Sequence, residues 1–511
     1  MLPAVRTLAG FLGLSFLVAA QPPEAIARLG MGLRMLATRD LDLDVPCRAL
    51  ADASGNPMLL WALDQARPLA LVQERIAAER WLLAHAGVLG FSGFEPVFAR
   101  SSAWHGCDVW TYGLVRDGLL LFDAEVSLYF ADRACIGLLN RMPKVTGLPA
   151  ASAPRPEGRA VLFARRDTPG VILLAAVREQ TTTAHRITEV VHEGAVLHRI
   201  QEQLHWPTTP QAATITEFTF PGMNYPDQIW ADSKGLIWFS EPLVGRVSRF
   251  NPTTNTFQSF ATPGFRGNDG LQVDDRDRVW FGLVANGHGL GVIDATTGVF
   301  TRYAPPYAGA QMAVPTQTSR GTILVTDHLA ERISEFDPNT GTWIGAITMP
   351  AGSFPTGGML EPETGDVWYP LWTFHGLGRW RPGASTITRI ATPSASGPAF
   401  CGVHDGRVYI SYGLTNRLGV YDIRSGTFTE HVWRAGELGG PIAMAPNGHA
   451  VVGTRNRGYI VVFDPVTLTF TDYLIPTANP GLKDGLTVAP DGVIWFTETL
   501  NAHKIAKLVL P

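Results

Sequence analysis

The sequence predicts a mainly β protein: a seven-bladed β-propeller of four-stranded blades preceded by a small α+β domain. Three observations carry this reading. From Thr214 onward a unit of 41 to 44 residues recurs seven times. Each unit holds strand and turn signals and no helix signal. A lone strand, "TITEFTF" (Thr214 to Phe220), stands before the first unit, and the last unit ends one strand short.

The elements follow in chain order. Arg6 precedes the apolar run "LAGFLGLSFLVAA", and Val18 and Ala20 are small residues just before Gln21. Residues 1–20 therefore read as a secretory signal, too short to cross a bilayer comfortably. The protein is expected to be secreted or periplasmic, monomeric, and without a membrane span once the signal is removed; an uncleaved signal serving as anchor is the alternative. The net charge of −4 and the lack of a basic stripe argue against a nucleic-acid partner. Of the four cysteines, three lie in the N-terminal third, and an oxidising compartment permits a Cys107–Cys135 bridge.

Residues 26–205 show no repeat. "PMLLWALDQARPLALVQERIAAERWLLAHAG" has helical periodicity broken at Pro68. "HGCDVWTYGLVRDGLLLFDAEVSLYFADRACIGLLNRM" alternates as a hairpin, and "GVILLAAVREQTTTAHRITEVVHEGAVLHRI" reads as further strands. "HEGAVLH" lacks the spacing of a zinc helix. Residues 206–213, "WPTTPQAA", form a linker.

The repeats fill 214–511. Their clearest segments are "GLIWFSE", "DRVWFGL", "GTILVTD", "GDVWYPL", "GRVYISY", "GHAVVGT" and "GVIWFTE". Six are followed by turns such as "FDPNTGTW", whose Asp-Pro-x-Thr-Gly chemistry suits a hairpin. Four strands per repeat with an aromatic signature indicate a propeller blade. Thr214–Phe220 is expected to complete the last blade and close the ring.

Closure sorts the polar residues by face. In "GNDGLQVDDRDRVWF", Asn268 and Asp269 sit in a link between blades, whereas Asp274, Asp275 and Asp277 sit in a turn about 20 Å away on the opposite face. This stretch is thus two features and not one metal loop. Asp227, Glu241, Asn268, Asp269 and Glu498 are candidate ligands at the channel mouth for Mg²⁺ or Ca²⁺, joined there by Asp484. Strand-end capping and rim charge are the alternative for each. His288 and His375 occupy equivalent links and are candidate general bases; turn or rim placement is the alternative. The mouth is expected to take a small-molecule or peptide ligand. No nucleophile elbow, Walker loop or dinucleotide fingerprint occurs.

"ITEFTFPGMNYPDQIWADSKGLIWFSEPLVGRVSRFNPTTNTF" and "DGLTVAPDGVIWFTETLNAHKIAKL" resemble the blades of the streptogramin B (virginiamycin B) lyases. The resemblance covers 214–511. It implies a metal-assisted lyase that opens a cyclic ester, with Glu498 at a metal-ligand position. Asp484, in "LKDGL", stands where the family carries its catalytic His, and "LGGPI" around Gly440 stands where another is expected. His288 or His375 would then replace the base. "NDGLQVD" is similar to inner strands of the gluconolactonase superfamily, which implies a metal-dependent lactone hydrolase with Asn268 as ligand. "GLLLFDAEVSLYF" and "VVHEGAVLHRI" resemble the fungalysin/thermolysin propeptide and PepSY-like modules, which implies a binding or folding aid. A non-catalytic ligand- or protein-binding propeller is the remaining alternative.

Overall fold

A computed structural model describes residues 38–510, except 141–158, 165–171, 207–212, 286–288 and several shorter loops; for 38–72 and scattered positions elsewhere it describes the backbone alone. The expected signal, 1–20, and most of the expected linker fall outside the described residues.

The chain is mainly β and builds a propeller. Six four-stranded antiparallel sheets stand by themselves, five of them in chain order from the inside outward and the sixth closed by a strand from the front of the array. The first runs Ile229–Ala231, Ile237–Glu241, Arg246–Asn251 and Thr256–Ala261. Another is composed of Thr214–Phe218, Lys504–Val509, Ile494–Glu498 and Leu486–Val488. Here the early strand pairs antiparallel with the C-terminal one, from Thr214 opposite Val509 to Phe218 opposite Ile505. Successive innermost strands pack against one another, and Leu486–Val488 returns to Ile229–Ala231.

The expectation of seven self-contained blades needs correction. Six stand alone. The fifth repeat, Pro398–His404 through Thr427–Val432, is one end of a sixteen-stranded sheet. Its outer strand pairs in parallel with the N-terminal region, Ile200, Gln201 and Glu202 lying opposite Glu430, His431 and Val432. An open strand edge carries unpaired N–H and C=O groups, and this pairing covers them.

The same pairing corrects the expected α+β domain, which is not set apart from the propeller. The N-terminal strands are largely antiparallel and carry one substantial helix among the described residues, Arg75–Ala84. Its Trp81 and Leu82 pack with Phe91, Phe94, Tyr112 and Leu128. The helical periodicity read on either side of Pro68 produces a helix only in its later part, Arg75–Ala84: Pro57–Ala62 before the proline and Leu69–Val72 after it are strands paired with Ala134–Asn140. Tertiary pairing overrides a short apolar period.

Within the blades a recurrent polar unit fixes the turn between the first two strands. The Asp274 carboxylate accepts from the Arg276 and Arg278 backbone N–H groups and from the buried Trp280 indole at 2.9 Å. Asp232 does the same for Lys234, Leu236 and Trp238. Glu361 serves Trp368. Arg249, Arg278 and Arg379 lie over the faces of these three indoles. The aromatic marker of the repeat is therefore one part of an acid–Trp–Arg unit.

Candidate functional site

The link into the last repeat, "GLKDGL", places three charges together. Lys483 Nζ lies 2.6 Å from Asp227 Oδ2 and 2.7 Å from Asp484 Oδ2, with its side chain almost wholly buried. Arg455 Nη2 reaches the other oxygen of Asp484 at 3.3 Å. Burial lowers the proton affinity of the Arg455 guanidinium, and Asp484 and Asp227 oppose that effect. Two cations thus face two carboxylates in a site shielded from water. The backbone holds this node tightly. The Asp227 carbonyl accepts from Thr497 Oγ1 at 2.7 Å, and a Cβ on Gly485 would come within 2.1 Å of that carbonyl oxygen. Glycine is required there because the two repeats meet backbone to backbone.

Asp227 and Asp484, read from sequence as a metal ligand and at a catalytic position, lie together on the Lys483 ammonium. Lys483 joins them, and it was missed. Its signal was the Lys directly before Asp in a link otherwise made of small and apolar residues.

Glu241 is committed elsewhere. Both its oxygens receive Arg246, at 2.7 Å from Nε and 2.7 Å from Nη2, and it also accepts from Ser248 Oγ and the Asn224 backbone N–H. A bidentate guanidinium occupies the directions a metal would need. Glu498 is fully buried but lies apart from the Lys483 node. Consecutive strand residues point to opposite faces. Thr497 faces Asp227, and Glu498 faces Glu217 and Lys504. Lys504 pairs with Glu217 at 2.5 Å, not with Glu498. Neither Glu498 oxygen meets a hydrogen-bond donor with good geometry. Burial, then the charge of Glu217, pushes the Glu498 carboxyl up to about 7.

His375 is a turn residue. It has a φ of 54° directly before the strand Gly376–Trp380, the conformation Gly245, Glu331 and His503 adopt at the matching point of other repeats. Its Nδ1 accepts the Gly397 backbone N–H at 3.3 Å. That fits a ring locked in the wall and not a base aimed at a ligand. His288 and the side chains of Asn268 and Asp269 lie outside the described residues, although the backbone of Asn268 and Asp269 runs within the strand Arg266–Val273. Cys135 is buried, and the Cys107 side chain falls outside the described residues, as does their expected bridge.

Among the described residues the donor set does not fit a divalent ion. Asp227, Asp484 and Glu241 are neutralised by Lys483, Arg455 and Arg246, and the cation beside Glu498, Lys504, is paired to Glu217. A metal would have to displace a buried ammonium held by two charge-assisted bonds.

No family model matches the sequence, and none of the curated proteins does. Solved structures do match. A streptogramin B lyase is similar at 21% identity and a TM-score of 0.53, over 58% of this chain and 98% of that one. Virginiamycin B lyase from Staphylococcus aureus is similar at 20% identity and a TM-score of 0.53, over 59% of this chain and 100% of that one. A catalytically inactive variant of the same lyase, solved with quinupristin, gives the same figures. These likenesses establish a lyase-like propeller fold.

Proposed function

We propose that this chain is an exported, ligand-binding propeller of streptogramin-lyase-like fold. It takes a small molecule or peptide at the channel mouth and does not run metal-assisted elimination there. The observation that carries the reading is Lys483, whose ammonium sits between Asp227 and Asp484. In this reading the four strands from Pro398 to Val432 count as the seventh sector of the ring, and residues 26–205 are a propeptide-like module ahead of it. The test is to incubate the purified protein with quinupristin and a lactone panel, with and without Mg²⁺. Unchanged substrates in both conditions, with saturable binding of at least one compound, support the proposal. Mg²⁺-dependent ring opening that is lost in Glu498→Gln rejects it.

One observation favours a catalytic second reading. A buried carboxyl pushed up to about 7 populates both protonation states at neutral pH, as a general acid or base requires. On this reading Glu498 is the proton-transfer group of a cyclic-ester lyase or lactone hydrolase. Ring opening that needs no added metal and is lost in Glu498→Gln selects it.

A further inference from the structure

The N-terminal region meets the propeller through a built interface. The strand Ala195–Gln203 adds in parallel to Thr427–Val432 by backbone pairing at Ile200 to Glu202. One residue further, the Gln203 side-chain amide imitates another strand: its Oε1 accepts the Phe470 N–H at 2.7 Å and its Nε2 donates to the Phe470 carbonyl at 3.4 Å. Phe470 belongs to the outer strand of the next repeat, Thr469–Leu474. Trp206 stacks on Phe470 with centroids 5.9 Å apart, and the His185 ring nitrogen Nε2 bonds the Leu468 carbonyl at 2.9 Å. One strand therefore straddles the outer edges of two adjacent repeats.

Beneath the pairing lies a buried charge network. Glu430, fully buried, accepts from His198 Nε2 at 2.9 Å, Arg417 Nη1 at 2.9 Å and Ser394 Oγ at 2.6 Å. Arg417 is shared. Its other contacts are a two-point pair with Asp123, at 2.9 and 3.1 Å. His198 and Asp123 come from the N-terminal region; Glu430 and Arg417 come from the fifth repeat and Ser394 from the link that precedes it. Phe122 and Phe163 flank the His198 ring. Removing either side strands buried charge on the other, which makes separation expensive. Arg417 also heads the third strand of its repeat, the place Arg246 and Lys504 hold in theirs. It is thus set at the candidate-site face, directly after the link Gly413–Asn416.

We propose that the N-terminal region is a permanent intramolecular clamp on the outer edges of the fifth and sixth repeats, and not a segment released to act on a separate partner. The edge of Ala195–Gln203, which a separate partner would need, is already filled by its own propeller.

The experiment uses the full-length chain with a specific protease site placed in 207–212. After complete cleavage, the two fragments are run on a sizing column in physiological salt. The expected result is co-elution at the size of the intact protein. An N-terminal fragment that elutes alone overturns the proposal. The paired variant Glu430→Gln, Arg417→Met removes the charges on the propeller side together. With it, the cleaved fragments are expected to separate at least tenfold faster, and an unchanged rate overturns the role given to the network. Hydrogen exchange on the uncleaved protein decides the matter if cleavage causes precipitation. Amides of Ile200–Glu202 should exchange as slowly as those of Thr427–Val432, and exchange at the rate of an open edge rejects the clamp.

Discussion

An ammonium group held 2.6 Å from one carboxylate and 2.7 Å from another does electrostatically what a small divalent ion does, with half the charge and no open coordination position. Lys483→Met leaves Asp227 and Asp484 buried with Arg455 as the remaining cation. Breaking a buried pair from one side costs about 3–5 kcal/mol, and urea unfolding should show a loss of that order. Asp227→Asn in the same background should recover part of it, because one stranded charge disappears. Glu498 makes the opposite demand. Its carboxyl titrates near 7 in the folded protein and near 4.5 when unfolded. Between those values the native state keeps a proton that the unfolded chain has lost, so stability falls as pH rises from 4.5 to 7 and levels off above. Glu498→Gln should flatten that slope and raise the melting temperature at pH 8, and melting curves at pH 5 and pH 8 test it. Glu430 acts in the other direction. His198 and Arg417 overcome the effect of burial and lower its carboxyl to about 2. The stability it contributes is complete above 4.5 and is lost as pH falls toward 2.

At the scale of the element, the acid–Trp–Arg unit explains why two neighbouring aspartates differ so much. Asp274 is buried and serves two backbone N–H groups, one indole and the Arg278 guanidinium, whereas Asp275 is exposed. Asp274→Ala leaves a buried indole N–H without an acceptor, which costs about 1–3 kcal/mol before the turn itself is counted. Asp275→Ala should stay within about 0.5 kcal/mol of the parent, as surface substitutions do. Denaturant midpoints of the two variants make the comparison. The sequence showed the Asp-rich turn and the Trp marker, each at its own spacing, but not that one bonds the other. Strand alternation decides that, and alternation becomes readable only when the register is known. The same limit explains Glu498 and His375. Their positions at strand ends were legible. The direction of Glu498, away from Thr497 and Asp227, and the left-handed backbone that locks His375 were not. Lys483 is not legible because a lysine in a link between strands ordinarily points to solvent, and here the close approach of Gly485 to the Asp227 carbonyl brings the Asp227 carboxylate within its reach.

For the molecule as a whole, the repeat and the closing strand were legible because they are local patterns of spacing and polarity. The joining of the fifth repeat to the N-terminal strands was not, since parallel pairing over more than two hundred residues of separation leaves no periodic trace. Both joins solve one problem. A blade with an uncovered outer strand invites association through its edge. In the last repeat the cover is Thr214–Phe218 on Lys504–Val509, tied further by Lys504 to Glu217 and by Glu217 to Thr477. In a strand, consecutive N–H groups point to opposite sides, so Ile215 and Thr216 differ: one faces the ladder and the other faces away from it. Proline removes the N–H at either site. Ile215→Pro and Thr216→Pro should therefore behave unequally. The one that cuts the ladder is expected to expose the edge of Lys504–Val509 and shift the protein toward oligomers on a sizing column with light scattering. The other should remain monomeric with a modest loss of thermal stability. Equal, unperturbed elution of both variants would mean that the closing pair does not hold the ring, and the two ends of the array would then have to be kept together by the contact of Leu486–Val488 with Ile229–Ala231 alone.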